Sequence, residues 1–242
     1  LYPVLPIKNI IMLDNELKSY LLPNLFNAAV RAGAAIMQVY KNKEDYDISI
    51  KSDKTPITVA DRRAHETIKT YLGPTRIPIL SEEGREMRYE ERCNWELFWL
   101  VDPLDGTVEF IKGNNEFTVN IALIHGQHPV AGVVTAPATA TTWRTDKPEG
   151  GAFRRQFGAL QAGEAHAGED WRPIRVRDRP QEGMALLSHS VTDEESTRLA
   201  ARHGCSRWQG TDSSLKFCLI AEGRFDAYPR TGPTSEWDTA AG

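Results

Sequence analysis

Apolar side chains recur at helical spacing through residues 15–40 (Leu17, Leu21, Leu25, Ala28, Ala32, Ala35, Ile36, Val39), which predicts an amphipathic helix. A second helix is expected over 60–72, with Asp61 in its first turn. Two apolar runs, PIL at 78–80 and ELFWLV at 96–101, read as buried strands, each leading straight into acidic residues. FTVNIALI and VAGVVTAP, joined by GQHP, have the form of a hairpin. Residues 160–180 are polar and rich in Gly and Arg, and read as a link between two halves, 1–150 and 151–242. Beyond them come a strand (MALLS), two helices (DEESTRLAARHG and SSLKFCLIAEG) and a short strand (FDAYP). The pattern is mixed α/β, without an internal repeat. The apolar opening, LYPVLPIKNIIML, is interrupted by Pro3, Pro6 and Lys8 and reads as a lead-in rather than a signal peptide.

Composition narrows the partners. A net charge of −4 argues against a nucleic acid polymer, which calls for a basic face. No stretch approaches the ~20 apolar residues of a membrane-spanning helix. Cys93, Cys205 and Cys218 lack CxxC spacing, which suits a reducing cytoplasm. Residues 1–125 hold 8 Lys and 7 Arg, whereas residues 126–242 hold 2 Lys and 12 Arg. Either the two halves differ in surface chemistry or the chain joins two sources.

The candidate chemistry is acidic. In WLVDPLDGT, residues 99–107, an apolar strand ends at Asp102, Pro103 stiffens its exit, and Asp105-Gly106 makes a tight turn. Carboxylates at a core edge are costly unless a cation neutralises them, and hard oxygen donors suit Mg²⁺. Ser81-Glu82-Glu83-Gly84 also places carboxylates at a strand end, and far downstream Glu236-Trp237-Asp238 precedes small residues. Together these look like metal ligands gathered from separate segments.

PITVAD (56–61), SEE (81–83), WLVDPLDGTVEFIKGNNEFTVNIALI (99–124), SSLKFCLIAEG (213–223), AYPRTGPT (227–234) and WDTAAG (237–242) resemble the inositol-monophosphatase superfamily, and within it the bisphosphate-nucleotidase branch. The resemblance implies a layered α/β/α/β/α sandwich with the active site between two subdomains. It also implies a further helix and strands after WDTAAG, so the chain reads as truncated at its C-terminus. Two or three Mg²⁺ ions would be held by Glu82, Asp102, the carbonyl of Leu104, Asp105 and Asp238. Asp61, Thr107 and Glu82 would position and deprotonate a water that attacks phosphorus directly. Gly106 and Thr107 would donate amides to the phosphate, and His189, Ser213, Lys216 and Arg230 would contact the nucleotide. The implied substrate is a small phosphorylated nucleotide, adenosine 3′,5′-bisphosphate. An inositol or fructose phosphatase, and an inactive nucleotide- or metal-binding fragment, are the alternatives. A homodimer, and peripheral association of a cytoplasmic protein with the inner membrane, are left open. The family pattern has lysine after DPLDGT, where this chain has Val108.

Overall fold

A computed structural model describes residues 15–52, 55–145, 151–158, 170–178, 180–189 and 194–242. The apolar lead-in and much of the expected link lie outside the described residues. Helix α1 (Asn15–Tyr40) and helix α2 (Val59–Leu72) pack side by side, with a small hairpin, β1 (Ser49–Ile50) and β2 (Pro56–Ile57), between them in sequence. Both helices match their expected spans closely.

The helix pair covers one face of a seven-stranded sheet. Its strands lie in chain order: β3 (Ile79–Ser81), β4 (Leu97–Asp105), β5 (Thr118–His125), β6 (His128–Ala136), β7 (Thr141–Thr145), β8 (Ala152–Gln156) and β9 (Arg172–Ile174). β3 and β4 are parallel and every later pair is antiparallel. Side chains alternate across a strand, so Trp99, Val101, Val119, Ile121 and Leu123 meet Leu25, Ala32, Ile36, Ala64 and Ile68 in the main core. Leu100, Ala122 and Ile124 face the other way, against Trp95, Phe98 and Trp237.

That second face carries α6 (Leu215–Ala221) and α7 (Glu236–Thr239). Farther out lies a parallel pair, β10 (Gly183–Leu187) and β11 (Cys205–Gly210), packed on α5 (Glu194–Arg202) through Ala185, Ala200 and Cys205. The order of layers is helix pair, sheet, helices, small sheet, helix. Two further short helices, α3 (Tyr89–Arg92) and α4 (Thr107–Lys112), flank β4 in sequence.

Several elements depart from the sequence pattern. The large sheet continues past residue 150 through β8 and β9, and β9 falls within the stretch read as a link. β9 is largely exposed and contains Pro173, and β11 exposes four successive residues, so neither shows an apolar period. FDAYP forms a single bridge, Ala185 to Ala227, rather than a strand. Pro229, two residues past the bridge, has no N–H to extend a ladder.

Candidate active site

The exit of β4 builds the centre. In a regular strand, residues three apart point to opposite faces. Here Asp102 pairs with Asn120 and Asp105 with Thr118, three steps on β4 against two on β5. This bulge turns both aspartates toward the α6 side. Asp102 Oδ1 accepts the Leu104 N–H at 3.0 Å, which fixes the turn. Gly106 follows with φ +91°, and a Cβ there would lie 2.8 Å from the Glu116 carbonyl oxygen, so only glycine fits.

Two capped helices supply further carboxylates. Asp61 is the third residue of α2, and its Oδ2 accepts from Thr58 N–H (2.7 Å) and Thr58 Oγ1 (2.6 Å), a capping box. Its other oxygen, Oδ1, accepts from Thr107 Oγ1 at 3.0 Å. The Thr107 hydroxyl also lies 3.2 Å from the Leu104 carbonyl. Asp238 repeats the device in α7, with Oδ2 accepting the Ser235 N–H at 2.9 Å. Glu82 follows β3 and pairs with Lys51 Nζ at 2.8 Å; Lys51 also binds Glu83.

These carboxylates crowd one another. Burial, and then the neighbouring Asp105, Glu82 and Asp238, hold the Asp102 carboxyl well above the usual range. Burial and Asp238 push Asp105 up to about 6, against opposing contributions from Lys216 and the Ser214 N–H. Burial raises Asp238, with Glu82 adding to it. Burial also raises Asp61, although its hydrogen bonds to Thr58 and Thr107 pull the other way. Hard oxygen donors that resist ionising together are what a divalent cation would relieve, so their chemistry suits magnesium. Among the described residues, a trio with ligand atoms all within 4.8 Å of one another occurs at Glu116, His189 and Asp212 and not within the nest.

The cleft beside the nest is lined by Asp105, Gly106, Glu109, Ser188, Asp212, Ser213, Ser214, Lys216, Tyr228, Arg230 and Asp238, among others. Lys216 is buried, donates to the Thr211 carbonyl at 3.2 Å, and has its ammonium 5.0 Å from the centre of the Tyr228 ring. Burial lowers its pKa, with Asp105 and Asp212 opposing. It is therefore not the ordinary surface charge that a lone lysine suggests. Arg230 is exposed and holds the Pro233 carbonyl at 3.0 Å. Ser213 lies in the left-handed region, at φ 56°. The His189 ring is not in the cleft wall; its Nε2 lies 3.0 Å from Glu116 Oε2.

Sequence reasoning, which offers Ser214 only as a phosphate contact at a helix start, missed the contacts that join these parts. Ser214 N–H donates to Asp105 Oδ2, Ser214 Oγ donates to Asn120 Oδ1 at 2.6 Å, and Thr118 Oγ1 lies 2.7 Å from Ser214 Oγ. One signal was available: Thr118 and Asn120 are the polar positions, two apart, of the otherwise apolar run FTVNIALI.

A model of the inositol monophosphatase family matches residues 18–242. The chain belongs to that family. Family enzymes are metal-dependent phosphatases. Among relatives, the 3′(2′),5′-bisphosphate nucleotidase CysQ of Salmonella typhimurium is 44% identical over 225 residues, covering 92% of this chain and 85% of that one. The protein of the same name from Haemophilus influenzae is 34% identical over 93% of this chain and 80% of its own. The crystal structure of CysQ from Bacteroides thetaiotaomicron, a bacterial member of the family, superposes with a TM-score of 0.76 at 38% identity, covering 90% and 82% of the two chains. Among the described residues no helix is long and apolar enough to cross a membrane.

Proposed function

We propose that the chain is a magnesium-dependent phosphomonoesterase that removes the 3′-phosphate of adenosine 3′,5′-bisphosphate, giving AMP and phosphate by direct attack of water. One observation carries the reading: Asp105 and Asp238 line one cleft with Lys216 and Ser213, and the buried Asp102 interacts with both aspartates from behind it. Relatives at 44% and 34% identity bear the nucleotidase name, which supports the substrate class.

Glu82, Asp102, the Leu104 carbonyl, Asp105 and Asp238 are the groups that would hold two or three Mg²⁺ ions. Bound there, the ions supply positive charge against the phosphate oxygens and make a nearby water more acidic. The Thr107 hydroxyl has one proton; with that proton on Asp61 Oδ1, its lone pairs face outward to accept from the attacking water. Proton transfer then runs from water through Thr107 to the Asp61 carboxylate, whose raised pKa suits it to receive a proton. Glu82 assists in orienting that water. The water oxygen bonds to phosphorus while the bond to the ribose 3′-oxygen breaks, and the departing oxygen takes a proton from solvent. The amides of Gly106 and Thr107 open α4 and suit a phosphate oxygen. Lys216, Ser213, Arg230 and His189 serve the nucleotide and its second phosphate. On this reading residues 1–150 contribute most metal ligands, and residues 151–242 the nucleotide contacts and Asp238.

The test is phosphate release from adenosine 3′,5′-bisphosphate, inositol 1-phosphate and fructose 1,6-bisphosphate with Mg²⁺ present. The bisphosphate nucleotide should have the highest kcat/KM. Preference for either of the other two overturns the substrate assignment. Nucleotide binding without any turnover overturns the catalytic one.

A further inference from the structure

One acidic side chain outside the metal nest ties the two halves of the cleft together. Glu116 lies between α4 and β5, and its carbonyl oxygen is the wall that confines Gly106 of the metal-bearing turn. Its Oε2 accepts the Asp212 backbone N–H at 3.0 Å and lies 3.0 Å from His189 Nε2. Asp212 Oδ1 in turn accepts the His189 N–H at 3.2 Å, closing a ring of three residues. The His189 ring also rests on Gly210, where a Cβ would come within 2.4 Å of Nδ1. Asp212 begins the segment that carries Ser213, Ser214 and Lys216.

We propose that Glu116 is a positioning residue for the nucleotide part of the substrate. Its carboxylate holds His189 and the Asp212–Ser214 segment in register with the turn that carries Asp102 and Asp105. Glu116 and Asp212 each offer an oxygen already accepting a backbone N–H, so the trio is a hydrogen-bonded brace. Without it, the nucleotide contacts lose their alignment, while the nest keeps ties that do not pass through that segment: Asp102 to the Leu104 N–H, Asp61 to the Thr58 N–H and Asp238 to the Ser235 N–H. The proposal rests on the nucleotidase reading above.

The test compares Glu116→Ala and Glu116→Gln with the wild type in three measurements. These are steady-state kinetics on adenosine 3′,5′-bisphosphate, calorimetric titration with AMP in Mg²⁺, and titration with Mn²⁺ followed by electron paramagnetic resonance. Glu116→Ala should raise KM and weaken AMP binding about tenfold, the scale of ~1.4 kcal/mol. Its kcat should stay within about threefold and its Mn²⁺ affinity within about twofold. Glu116→Gln retains an acceptor for the Asp212 N–H but loses the charge facing His189, so it should recover part of the loss and leave KM about threefold above the wild type. A fall in kcat and Mn²⁺ affinity that matches the loss of AMP binding, or a glutamine variant no better than alanine, overturns the positioning role. If Glu116→Ala does not fold, Glu116→Gln alone decides: a KM rise of about threefold with Mn²⁺ binding unchanged supports the role, and unchanged KM overturns it. A wild type that neither binds AMP nor hydrolyses the bisphosphate sinks the nucleotidase reading itself, a different failure from a wild type that does both and a Glu116→Ala variant that matches it.

Discussion

Asp102 is buried and Asp105 half-buried among other carboxylates, whereas Lys216, which lines the same cleft as Asp105, is buried beneath Tyr228 with a carbonyl as its partner. Burial disfavours the charged form in both places, raising the acids and lowering the base. The protein alone can relieve neither fully. A cation in the nest and a phosphate near Lys216 would relieve both, and the phosphate would bridge the two. On the proposed reading the cleft would take an anion together with metal, and the contrast can be probed one side at a time.

The largest effect is expected at the proton acceptor. Asp61→Asn keeps an oxygen for the Thr58 cap but cannot take a proton from Thr107. Phosphate release should fall by about 10²–10⁴-fold, with folding changed by no more than the ~1 kcal/mol typical of a cap. Near-normal turnover would remove Asp61 from the mechanism.

Asp105→Asn should lower kcat at least ~10²-fold, the scale of a lost electrostatic stabiliser. The same change should stabilise the metal-free protein. The folded pKa of Asp105, about 6, is above the ordinary value of 3.8, so the folded state holds its proton more tightly than the unfolded state. The stability linked to that proton is fully present below about pH 4 and is lost as pH rises through about 6. Above that window, in chelator, the asparagine variant should melt higher than the wild type, by ~2–4 °C for each kcal/mol gained. Adding Mg²⁺ should reverse the order. A lower melting temperature of the variant in chelator at pH 7.5 would contradict the crowded-nest picture.

On the cationic side, Lys216→Met retains the stem under Tyr228 and removes the charge. The KM for the bisphosphate substrate should rise about tenfold with kcat little altered. A kcat loss as large as that of Asp105→Asn would mean that Lys216 acts on the reacting phosphate instead.

The same contrast explains what the sequence made legible. The acidic side is built from local devices: Asp102 bonds to an amide two residues on, and Asp61 and Asp238 each cap their own helix three residues back. Such spacings are visible in a string of letters, and DPLDGT and WDTAAG announced them. The helix pair and central hairpin were legible for a like reason, since their apolar periods are long and strong. The side proposed to take the nucleotide depends on contacts between residues far apart in sequence, such as Ser214 with Asp105 and Asn120, or Glu116 with Asp212 and His189. No local pattern encodes those pairs. The bulge at Pro103-Leu104 was equally hidden, because it exists only in register with β5. Polar strands such as β9 and β11 were missed because nothing apolar marks them.

Lys51 gives the smallest effect and the finest test of the nest. Its ammonium binds Glu82 at 2.8 Å and also Glu83, from the short hairpin ahead of α2. Burial alone would lower its pKa, but the hydrogen bonds to Glu82 and Glu83 raise it well above the usual value, so it stays cationic through any assay. A divalent ion using Glu82 therefore competes with a cation the protein already holds there. Lys51→Met removes the competitor and leaves Glu83, already raised by burial, without a partner. Two opposite consequences follow from one substitution. The metal-free protein should melt a few degrees lower, because two carboxylates lose their counter-ion. Mn²⁺ should bind about three- to tenfold more tightly, a gain of roughly 0.7–1.4 kcal/mol, because Glu82 is free to take it. Mn²⁺ binding that weakens in Lys51→Met would show that the lysine supports the metal site instead of competing with it, and would place Glu82 outside the ligand set.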